Sequence, residues 1–572
     1  MSDIIEKLIM LYGKEKAAYC YNEIEQKIAN FTKKNQKKPN CELDERDIII
    51  ITYGDQFCGR GKAPLKNLGE FAKKYLTDMA SCIHLLPFFP YSSDDGFSVV
   101  DYKQVREQLG NWKDIKDIGA DFKLMFDLVC NHISSKSEWF TLYISGDEEY
   151  KDFFIEMDRN TDLSMVTRPR TLPLLTAFNT SKGTKYLWTT FSEDQIDLNF
   201  KNEKLLLKII DILLYYVEMG ADVIRLDAIG FLWKEVGTAC IHLRETHAII
   251  QLFKEVLSLA APGVMLVTET NVPHKDNIAY FGNGHNEARM VYQFPLPPIM
   301  LYTLIKEDAS ILSKWAGTLR TESDETTFLN FLASHDGIGI NPAREILKEE
   351  DIDLMAKKVV ERGGFVSYKN NADGSESPYE FNISYFNALS DNSDPEDINI
   401  KRFVVSYAIA LSLAGVPGIY IHSLLGSRNY SEGVAKTGRY RIINREKCDI
   451  DDIENMLEDK NHIRYRVFNA FSHMLKTRRS QKAFHPNGSQ EVILMDDKLF
   501  SLVRASVDNK ERIIAIHNIS GDRKNIALNL QEQKLEAKRA EDVANNHEVR
   551  VFDNILSLEL NPYEFAWIRL YR

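Results

Sequence analysis

Cysteine is scarce in this chain and is not arranged as a disulfide framework or a zinc site. Seven cysteines are scattered over 572 residues, and no C-x-x-C pair occurs. An odd, dispersed set is typical of reduced thiols in a cytosolic enzyme. We therefore expect a cytoplasmic location and no metal site.

Long apolar runs and nucleotide-binding motifs are absent as well. No segment approaches eighteen continuous apolar residues, and the opening MSDIIEKLIM carries too much charge for a signal peptide. There is no P-loop and no G-x-G-x-x-G after a candidate strand, so no cofactor is expected. A net charge of −12 argues against a general nucleic-acid binder. The expected partners are small molecules, with no nucleic acid and no membrane, and the oligomeric state stays open.

The apolar residues that are present, 44% of the chain, suffice for a large catalytic domain and smaller ones. Residues 1–45 are predicted to form a helical extension that ends in the basic tract TKKNQKKP. Its apolar residues recur at helical spacing: Ile4, Ile5, Leu8, Ile9 and Tyr12.

Eight apolar segments follow, each succeeded by a helical pattern or a loop. They are 48–53, 83–88, 124–129, 223–228, 264–269, 290–294, 328–336 and 416–421. Eight strands alternating with helices predict an α/β fold, a (β/α)8 TIM barrel, whose active site lies at the C-terminal ends of the strands. We assign the barrel to residues 46–132 and 201–480.

Two intervals between the predicted strands are too long for simple loops. Residues 133–200 show little regular periodicity and are predicted to form an inserted lid domain. Residues 338–400 contain the polar tract NNADGSESPY and are predicted to be a second insertion, a mobile acceptor loop over the site. Short alternating segments over 481–572 predict a C-terminal antiparallel β domain.

The fourth predicted strand carries two charges in an otherwise apolar run. In ADVIRLDAIG, at 221–230, Arg225 and Asp227 are two residues apart and share one face. A cation beside a buried carboxylate is expected to lower the pKa of the acid and keep it ionised. A carboxylate nucleophile requires that state. A purely structural ion pair is the alternative.

Three carboxylates lie at the ends of predicted strands, at Asp227, Glu269 and Asp336. Cleaving a glycosidic bond with retention needs one nucleophilic and one proton-donating carboxyl. Asp227 suits the first role, and Glu269, at the end of an apolar strand, suits the raised pKa of the second. Asp336 can hold sugar hydroxyls while the ring carries positive charge. Glycoside chemistry is therefore the leading hypothesis.

Motifs over most of residues 47–480 resemble, in order, those of the α-amylase family of retaining α-glucosidases. They are DLVCNH (127–132), QIDLN (195–199), IRLDA (224–228), ETN (269–271), SHD (334–336) and GVPGIY (415–420). The resemblance implies Asp227 as nucleophile, Glu269 as general acid/base and Asp336 as transition-state stabiliser. It also implies that the glucosyl ring is bound by His132, Arg225 and His335.

Further motifs are similar to the sucrose-phosphorylase group of that family. They are SDDGF (93–97), RPR (168–170), LDAIGFLWKEVGTAC (226–240), HDGIG (335–339) and RIINR (441–445). In such an enzyme phosphate, not water, attacks the glucosyl-Asp227 ester and releases α-D-glucose 1-phosphate. The resemblance implies further glucose-binding residues: Asp94 and Arg441 for the far hydroxyls, Phe97 and Phe191 as walls, and Gln195 near the nucleophile.

Phosphate requires fixed cations, and we expect Arg170, with Arg168 and the Tyr379 hydroxyl, to supply charge-assisted hydrogen bonds. A solvated loop is the alternative for RPR. Thr270-Asn271 after the predicted acid, and SPYEFN around Glu380, depart from the sucrose phosphorylases.

Three longer stretches are similar to those of the glucosylglycerate phosphorylases. They are WKEVGTACIHL (233–243), TETNVPHKDNIAYFG (268–282) and FLASHDGIG (331–339). The loss of an acid at the acceptor subsite fits an anionic acceptor such as D-glycerate, which a like charge would repel. Lys234, Asn271 and His274 are candidates for its carboxylate, and Glu380 is a further acceptor-site candidate; a structural role is the alternative for each.

The leading hypothesis is reversible phosphorolysis of 2-O-α-D-glucosyl-D-glycerate, with inorganic phosphate as co-substrate. The alternatives are phosphorolysis of sucrose, sucrose 6'-phosphate or glucosylglycerol, and hydrolysis of an α-glucoside. A non-catalytic sugar-binding barrel is an alternative of another class.

Overall fold

The computed structural model describes residues 2–35, 42–169, 172–370 and 375–571. Eight parallel strands close into a barrel, in which each strand pairs with its neighbours in chain order. The strands are Ile49–Thr52, Cys82–Leu85, Lys123–Leu128, Ala221–Leu226, Met265–Thr268, Met290–Tyr292, Thr327–Phe331 and Val416–Tyr420. Pairing of Ile49 with Gly418 closes the ring. The predicted (β/α)8 barrel is confirmed.

The barrel strands are buried, which explains their apolar sequences. In the fourth strand every residue except Asp222 is buried, and Arg225 pairs in register with Asp127 of the third strand. The register therefore brings a cation and a carboxylate together inside the barrel mouth.

Helices alternate with the strands. The helix Glu203–Glu218 begins where the Asn202 side chain accepts hydrogen bonds from the backbone N–H groups of Lys204 and Leu205. The other helices between the first strand and the C-terminal domain are Pro64–Tyr75, Trp112–Ile118, Glu138–Ser145, Arg244–Ala260, His274–Ile278, Leu296–Lys306, Ser310–Ala316, Glu349–Glu361, Tyr385–Leu389, Glu396–Ser412, Ile421–Leu424, Ser431–Thr437, Ile450–Glu458 and Ile463–Arg479.

An N-terminal helix, Ser2–Lys34, lies against two barrel helices and is interrupted at Gly13, where φ is 78°. Ion pairs of 2.8 Å join Lys16 to Glu203 and Lys27 to Asp211. Its buried apolar residues are Ile4, Leu8, Ala17, Cys20, Ile24 and Phe31. Part of the basic tract lies outside the described residues.

The long interval between the third and fourth strands contains regular structure, which its sequence did not indicate. His132–Ser134 pairs antiparallel with Gln195–Asp197. A three-stranded sheet follows, of Glu156–Met157, Gly183–Trp188 and Leu175–Thr180. The strands of this small domain are polar and half-exposed, so no apolar run in the sequence marks them.

The second interval also contains regular structure over most of its length, where the sequence suggested a loop. A three-stranded antiparallel sheet contains Ile338–Gly339, Glu376–Asn382 and Phe365–Asn370, in that order. The helix Glu349–Glu361 packs against it. Residues 371–374 of the polar tract lie outside the described residues.

The C-terminal domain is an eight-stranded antiparallel sheet, as predicted. Its strands in chain order are Ser489–Ile493, Leu499–Ala505, Arg512–Asn518, Lys524–Asn529, Arg539–Asp542, His547–Phe552, Ile555–Leu560 and Phe565–Tyr571. Arg504, which is fully buried, joins the sheet to the barrel by donating from Nη1 to the Ser412 carbonyl at 2.9 Å.

Candidate active site

A cavity opens at the C-terminal ends of the barrel strands and contains most of the predicted site residues. The predicted residues that line it are Asp94, Phe97, His132, Arg168, Phe191, Gln195, Asp227, Glu269, Asn271, His335, Asp336, Tyr379, Glu380 and Arg441. Residues from several strand ends and from both long intervals therefore converge on one space.

Arg225 lies beneath this cavity and holds Asp227. The fourth strand ends at Leu226, so Asp227 is the first residue beyond it. Nη1 of Arg225, which is 3% exposed, lies 2.8 Å from Oδ1 of Asp227. The same nitrogen donates to Asp127, whose other oxygen is 2.7 Å from Nε2 of His84. The arginine is thus shared between a structural and a cavity-lining carboxylate.

The pKa of Asp227 corrects the sequence expectation. Burial raises it to about 8, because the loss of hydration outweighs the attraction of Arg225. The expectation considered the neighbouring cation and omitted desolvation, which depends on packing around the complete site. Asp227 shares this buried environment with a second carboxyl.

Glu269 is that second carboxyl. It follows the fifth strand and accepts a hydrogen bond of 2.9 Å from the backbone N–H of Ala228. Burial raises its pKa. Arg225 lies 3.9 Å from Glu269 but 2.8 Å from Asp227, which favours the negative charge on Asp227 and the proton on Glu269.

Asp336 lies five residues beyond the end of the seventh strand, rather than on it. Burial disfavours its charge, but the guanidinium groups of Arg441 and Arg445 hold the pKa of Asp336 well below the usual range. Nη1 of Arg441 is 2.6 Å from its Oδ1. Asp336 therefore remains a carboxylate beside two carboxyls of raised pKa.

Arg441 connects Asp336 to Glu380. Its Nε and Nη2 donate to the two oxygens of Glu380 at 2.9 and 2.6 Å. Glu380 is only 4% exposed. This chain of charges fixes both residues and neutralises the acid predicted for the acceptor site.

Polar groups predicted for glucose form a connected set. Nε2 of Gln195 donates to Asp94 at 3.3 Å and to the Phe97 carbonyl at 3.2 Å. Nε2 of His132 lies 2.9 Å from the same carbonyl. The Phe97 ring stacks on His335 with centroids 4.8 Å apart. Burial lowers the pKa of His335 to about 3, so that its ring is neutral.

Phe191 completes the aromatic part of the predicted glucose site. Its ring lies 5.2 Å from that of His132 and 5.6 Å from that of Phe231. Apolar ring faces beside fixed polar groups are the surface that a sugar requires.

Arg445 is a site residue that sequence reasoning missed, although it ends the RIINR motif. Its Nη1 is 2.5 Å from Asp95, and its Nε donates to the His335 carbonyl at 2.7 Å. Its Nη2 lies 3.7 Å from Asp336. Arg445 therefore positions the loop that carries both His335 and Asp336.

His242 was also missed. It lines the cavity, and its Nδ1 lies 2.6 Å from the hydroxyl of Tyr280. His242, Ala228 and Cys240 all have φ near +50°, in the left-handed region that side chains disfavour. The loop after the nucleophile is thus held in a strained shape. No residue type in the motif signals that conformation.

The predicted acceptor and phosphate residues divide into three groups. Arg168, Asn271, Tyr379 and Glu380 line the cavity. Arg170 lies outside the described residues. Lys234 does not line the cavity, because its Nζ is 2.5 Å from Asp197 in a fully buried ion pair. This pairing corrects its assignment to the acceptor.

His274 does not line the cavity either, and its ring packs 6.0 Å from that of Phe328. Within the ranges the structure describes, no group of three or more His, Cys, Asp or Glu side chains could hold a metal ion. No helix in the described parts of the chain is long and apolar enough to cross a membrane.

Comparisons with known proteins show which family the chain belongs to. The α-amylase catalytic-domain family model matches residues 73–338. A glucosylglycerate phosphorylase of Spirochaeta thermophila is 50% identical over 478 residues, covering 84% of this chain and 81% of that protein. The chain belongs to the α-amylase family. Its predicted membership is confirmed.

Two further proteins are similar to the chain, one in sequence and one in fold. A glucosylglycerate phosphorylase of Escherichia coli is 45% identical over 527 residues, covering 92% of each chain. The crystal structure of a sucrose 6F-phosphate phosphorylase from Thermoanaerobacter thermosaccharolyticum superimposes with a TM-score of 0.73, at 24% identity, over 84% of this chain and 95% of that one. The fold is therefore that of the phosphorylases in this family.

Proposed function

We propose that this chain catalyses the reversible phosphorolysis of 2-O-α-D-glucosyl-D-glycerate to α-D-glucose 1-phosphate and D-glycerate, with retention. The observation that carries the proposal is the arrangement of Asp227, Glu269 and Asp336 around one cavity. Relatives named glucosylglycerate phosphorylase, at 45–50% identity, support the choice of substrate. The proposed reaction uses no cofactor, and inorganic phosphate is its co-substrate.

In the first half-reaction Asp227 attacks the anomeric carbon of the glucosyl group. The bond from that carbon to the glycerate oxygen breaks, and Glu269 donates its proton to the departing oxygen. The products are D-glycerate and a β-glucosyl ester of Asp227. Burial supports this step, because it raises the pKa of both carboxyls and so favours a proton on the acid.

In the second half-reaction phosphate attacks the same carbon. A phosphate oxygen forms the new bond, the ester bond to Asp227 breaks, and Glu269 accepts the phosphate proton. Two inversions at one carbon give retention. Asp336, an anion because of Arg441 and Arg445, stabilises the positive charge that develops on the sugar ring in both steps.

The proposal is tested by measuring whether the release of glucose 1-phosphate depends on added phosphate. The enzyme is given glucosylglycerate, sucrose, sucrose 6'-phosphate or glucosylglycerol, each with and without phosphate. We expect glucose 1-phosphate from glucosylglycerate only when phosphate is present. Free glucose formed independently of phosphate would show a hydrolase, and activity on sucrose without activity on glucosylglycerate would refute the acceptor. Binding without turnover would indicate a sugar-binding barrel.

A further inference from the structure

The proposed reaction places two different anions, phosphate and D-glycerate, in a cavity whose described lining contains five carboxyl groups, those of Asp94, Asp227, Glu269, Asp336 and Glu380. Among the described residues, the lysine and arginine side chains that line the cavity are Arg168, Lys369 and Arg441. Arg441 is already bound by Asp336 and Glu380. The cations left for an incoming anion in the described lining are therefore Arg168 and Lys369.

Lys369 lies on the strand Phe365–Asn370, which comes from the second long interval. The Phe365 ring stacks on that of Tyr440 at 4.5 Å, which anchors the start of the strand. Lys369 lines the cavity together with Tyr379 and Glu380 of the neighbouring strand.

The ammonium group of Lys369 makes no ion pair or hydrogen bond within the described part of the chain. Its charged neighbours, Arg344 and Glu349, are joined to each other at 2.5 Å. Partial burial and the charge of Arg344 lower the pKa of Lys369. A half-buried cation without a partner is costly to keep, and an anionic ligand would stabilise it.

The strand of Lys369 is fixed to the rest of the site. Lys369 pairs in register with Ser377 of the strand Glu376–Asn382. Nη2 of Arg344 donates to the Pro378 carbonyl at 2.6 Å, and Glu380 on the same strand is bound by Arg441. The lysine therefore projects from a sheet that the catalytic charges hold in place.

We propose that Lys369 binds the carboxylate of the acceptor, D-glycerate, and so selects an anionic acceptor. The inference rests on the proposed function. Carboxylate recognition needs a compensating cation in a cavity that holds Asp227, Glu269 and Asp336, since like charges would repel glycerate. Lys369 is supplied by the inserted sheet rather than by a barrel strand, so it can act on the acceptor independently of the glucose-binding residues.

The test uses α-D-glucosyl fluoride as donor, because its leaving group carries no carboxylate. Asp227 displaces fluoride and forms the ester, which then reacts with water or with the hydroxyl of added D-glycerate, whose proton passes to Glu269. The full-length Lys369→Met and Lys369→Arg variants are compared with the wild type. The ester gives glucose when it reacts with water and glucosylglycerate when it reacts with glycerate. The quantity measured is the glycerate concentration at which the two products form in equal amounts, called here the half-diverting concentration.

We expect Lys369→Met to raise that concentration about tenfold to a hundredfold, the range expected for loss of a charge-assisted hydrogen bond. Lys369→Arg should recover most of the loss. Lys357→Met, on the neighbouring helix and 74% exposed, is the matched control and should behave as the wild type.

An unchanged half-diverting concentration in Lys369→Met would overturn the inference. An equal rise for glycerol in place of glycerate would also overturn it, because glycerol has no carboxylate. A loss seen with phosphate as acceptor and absent with glycerate would assign Lys369 to phosphate instead. If the wild-type enzyme itself does not use glycerate as an acceptor, the proposed function is refuted. This outcome is read from the wild-type reaction alone and is therefore distinct from a failure of the Lys369 inference.

Discussion

At the scale of single residues, the site depends on one proton shared by two buried carboxyls. Asp227→Asn removes the nucleophile and keeps the size of the side chain. We expect turnover to fall by more than about a thousandfold, as for removal of other catalytic nucleophiles. Glucose 1-phosphate release measures the loss, with thermal unfolding as the control for folding. Activity within tenfold of the wild type would contradict the double displacement.

The pH profile of kcat/KM should be bell-shaped, with both limbs set by the carboxyl groups of Asp227 and Glu269. As the pH falls, a second proton binds and neutralises Asp227; as it rises, the shared proton leaves and Glu269 can no longer act as an acid. Because burial raises both pKa values, the alkaline limb should lie above the value of about 4.3 for an exposed glutamate.

Glu269→Gln separates the two limbs. With α-D-glucosyl fluoride as donor, fluoride leaves without help from a strong acid, so the variant should still form the ester. Its pH profile of kcat/KM should lack the alkaline limb, because the carboxyl assigned to that limb is gone. An alkaline limb identical to that of the wild type would assign it to another group. Asp336 should contribute to neither limb, since its neighbours hold its pKa well below the usual range.

The three carboxyls were predictable because each follows an apolar strand in a specific motif. His242 and Lys369, which line the cavity, and Arg445, which pairs with Asp95, were not, because they lie in loops or in an inserted sheet that only the complete fold brings together. The direction of the Asp227 pKa shift was missed for a related reason. Arg225 is visible two residues away in sequence, whereas desolvation is the sum of all neighbours.

At the scale of elements, the N-terminal helix stabilises the barrel from outside. Leu8 is fully buried and Ile9 is 38% exposed on the same helix, so they form a matched pair. Leu8→Ala should lower the free energy of unfolding by about 2–5 kcal/mol, and Ile9→Ala by less than about 1 kcal/mol. Denaturant unfolding measures the difference. Equal effects would mean that the helix is not packed as described.

Elements differed in how far their sequence revealed them. The eight barrel strands are continuous apolar runs because both of their faces are buried. The strand Leu175–Thr180 has no fully buried residue, so no apolar run marks it. The strand Phe365–Asn370 ends inside a polar tract, which indicated a loop. Such half-exposed strands form through pairing with distant partners, which local sequence does not show.

At the scale of the whole molecule, buried arginines join the barrel to the C-terminal sheet. Arg504 donates to the carbonyls of Ser412, Ser489, His485 and Gly488. Arg504→Met should lower the free energy of unfolding by about 3 kcal/mol or more, because it leaves buried acceptors unpaired. Arg523→Met, at a side chain 61% exposed, is the control.

The same variant tests the separation of stability from chemistry. The described lining of the cavity extends no further along the chain than Asn444. Arg504→Met should therefore leave the KM for phosphate unchanged at temperatures where the protein is folded. A raised KM without loss of stability would show that the sheet shapes the cavity.

The strained loop after the fourth strand has a consequence for evolution. Ala228, Cys240 and His242 are held left-handed, at about 1–2 kcal/mol each. Ala228 nevertheless presents its N–H to Glu269. Selection for thermostability alone would favour glycine at such positions, while selection for turnover would preserve the strain. Stabilised variants obtained without an activity screen should therefore accumulate changes in this loop and lose catalytic rate.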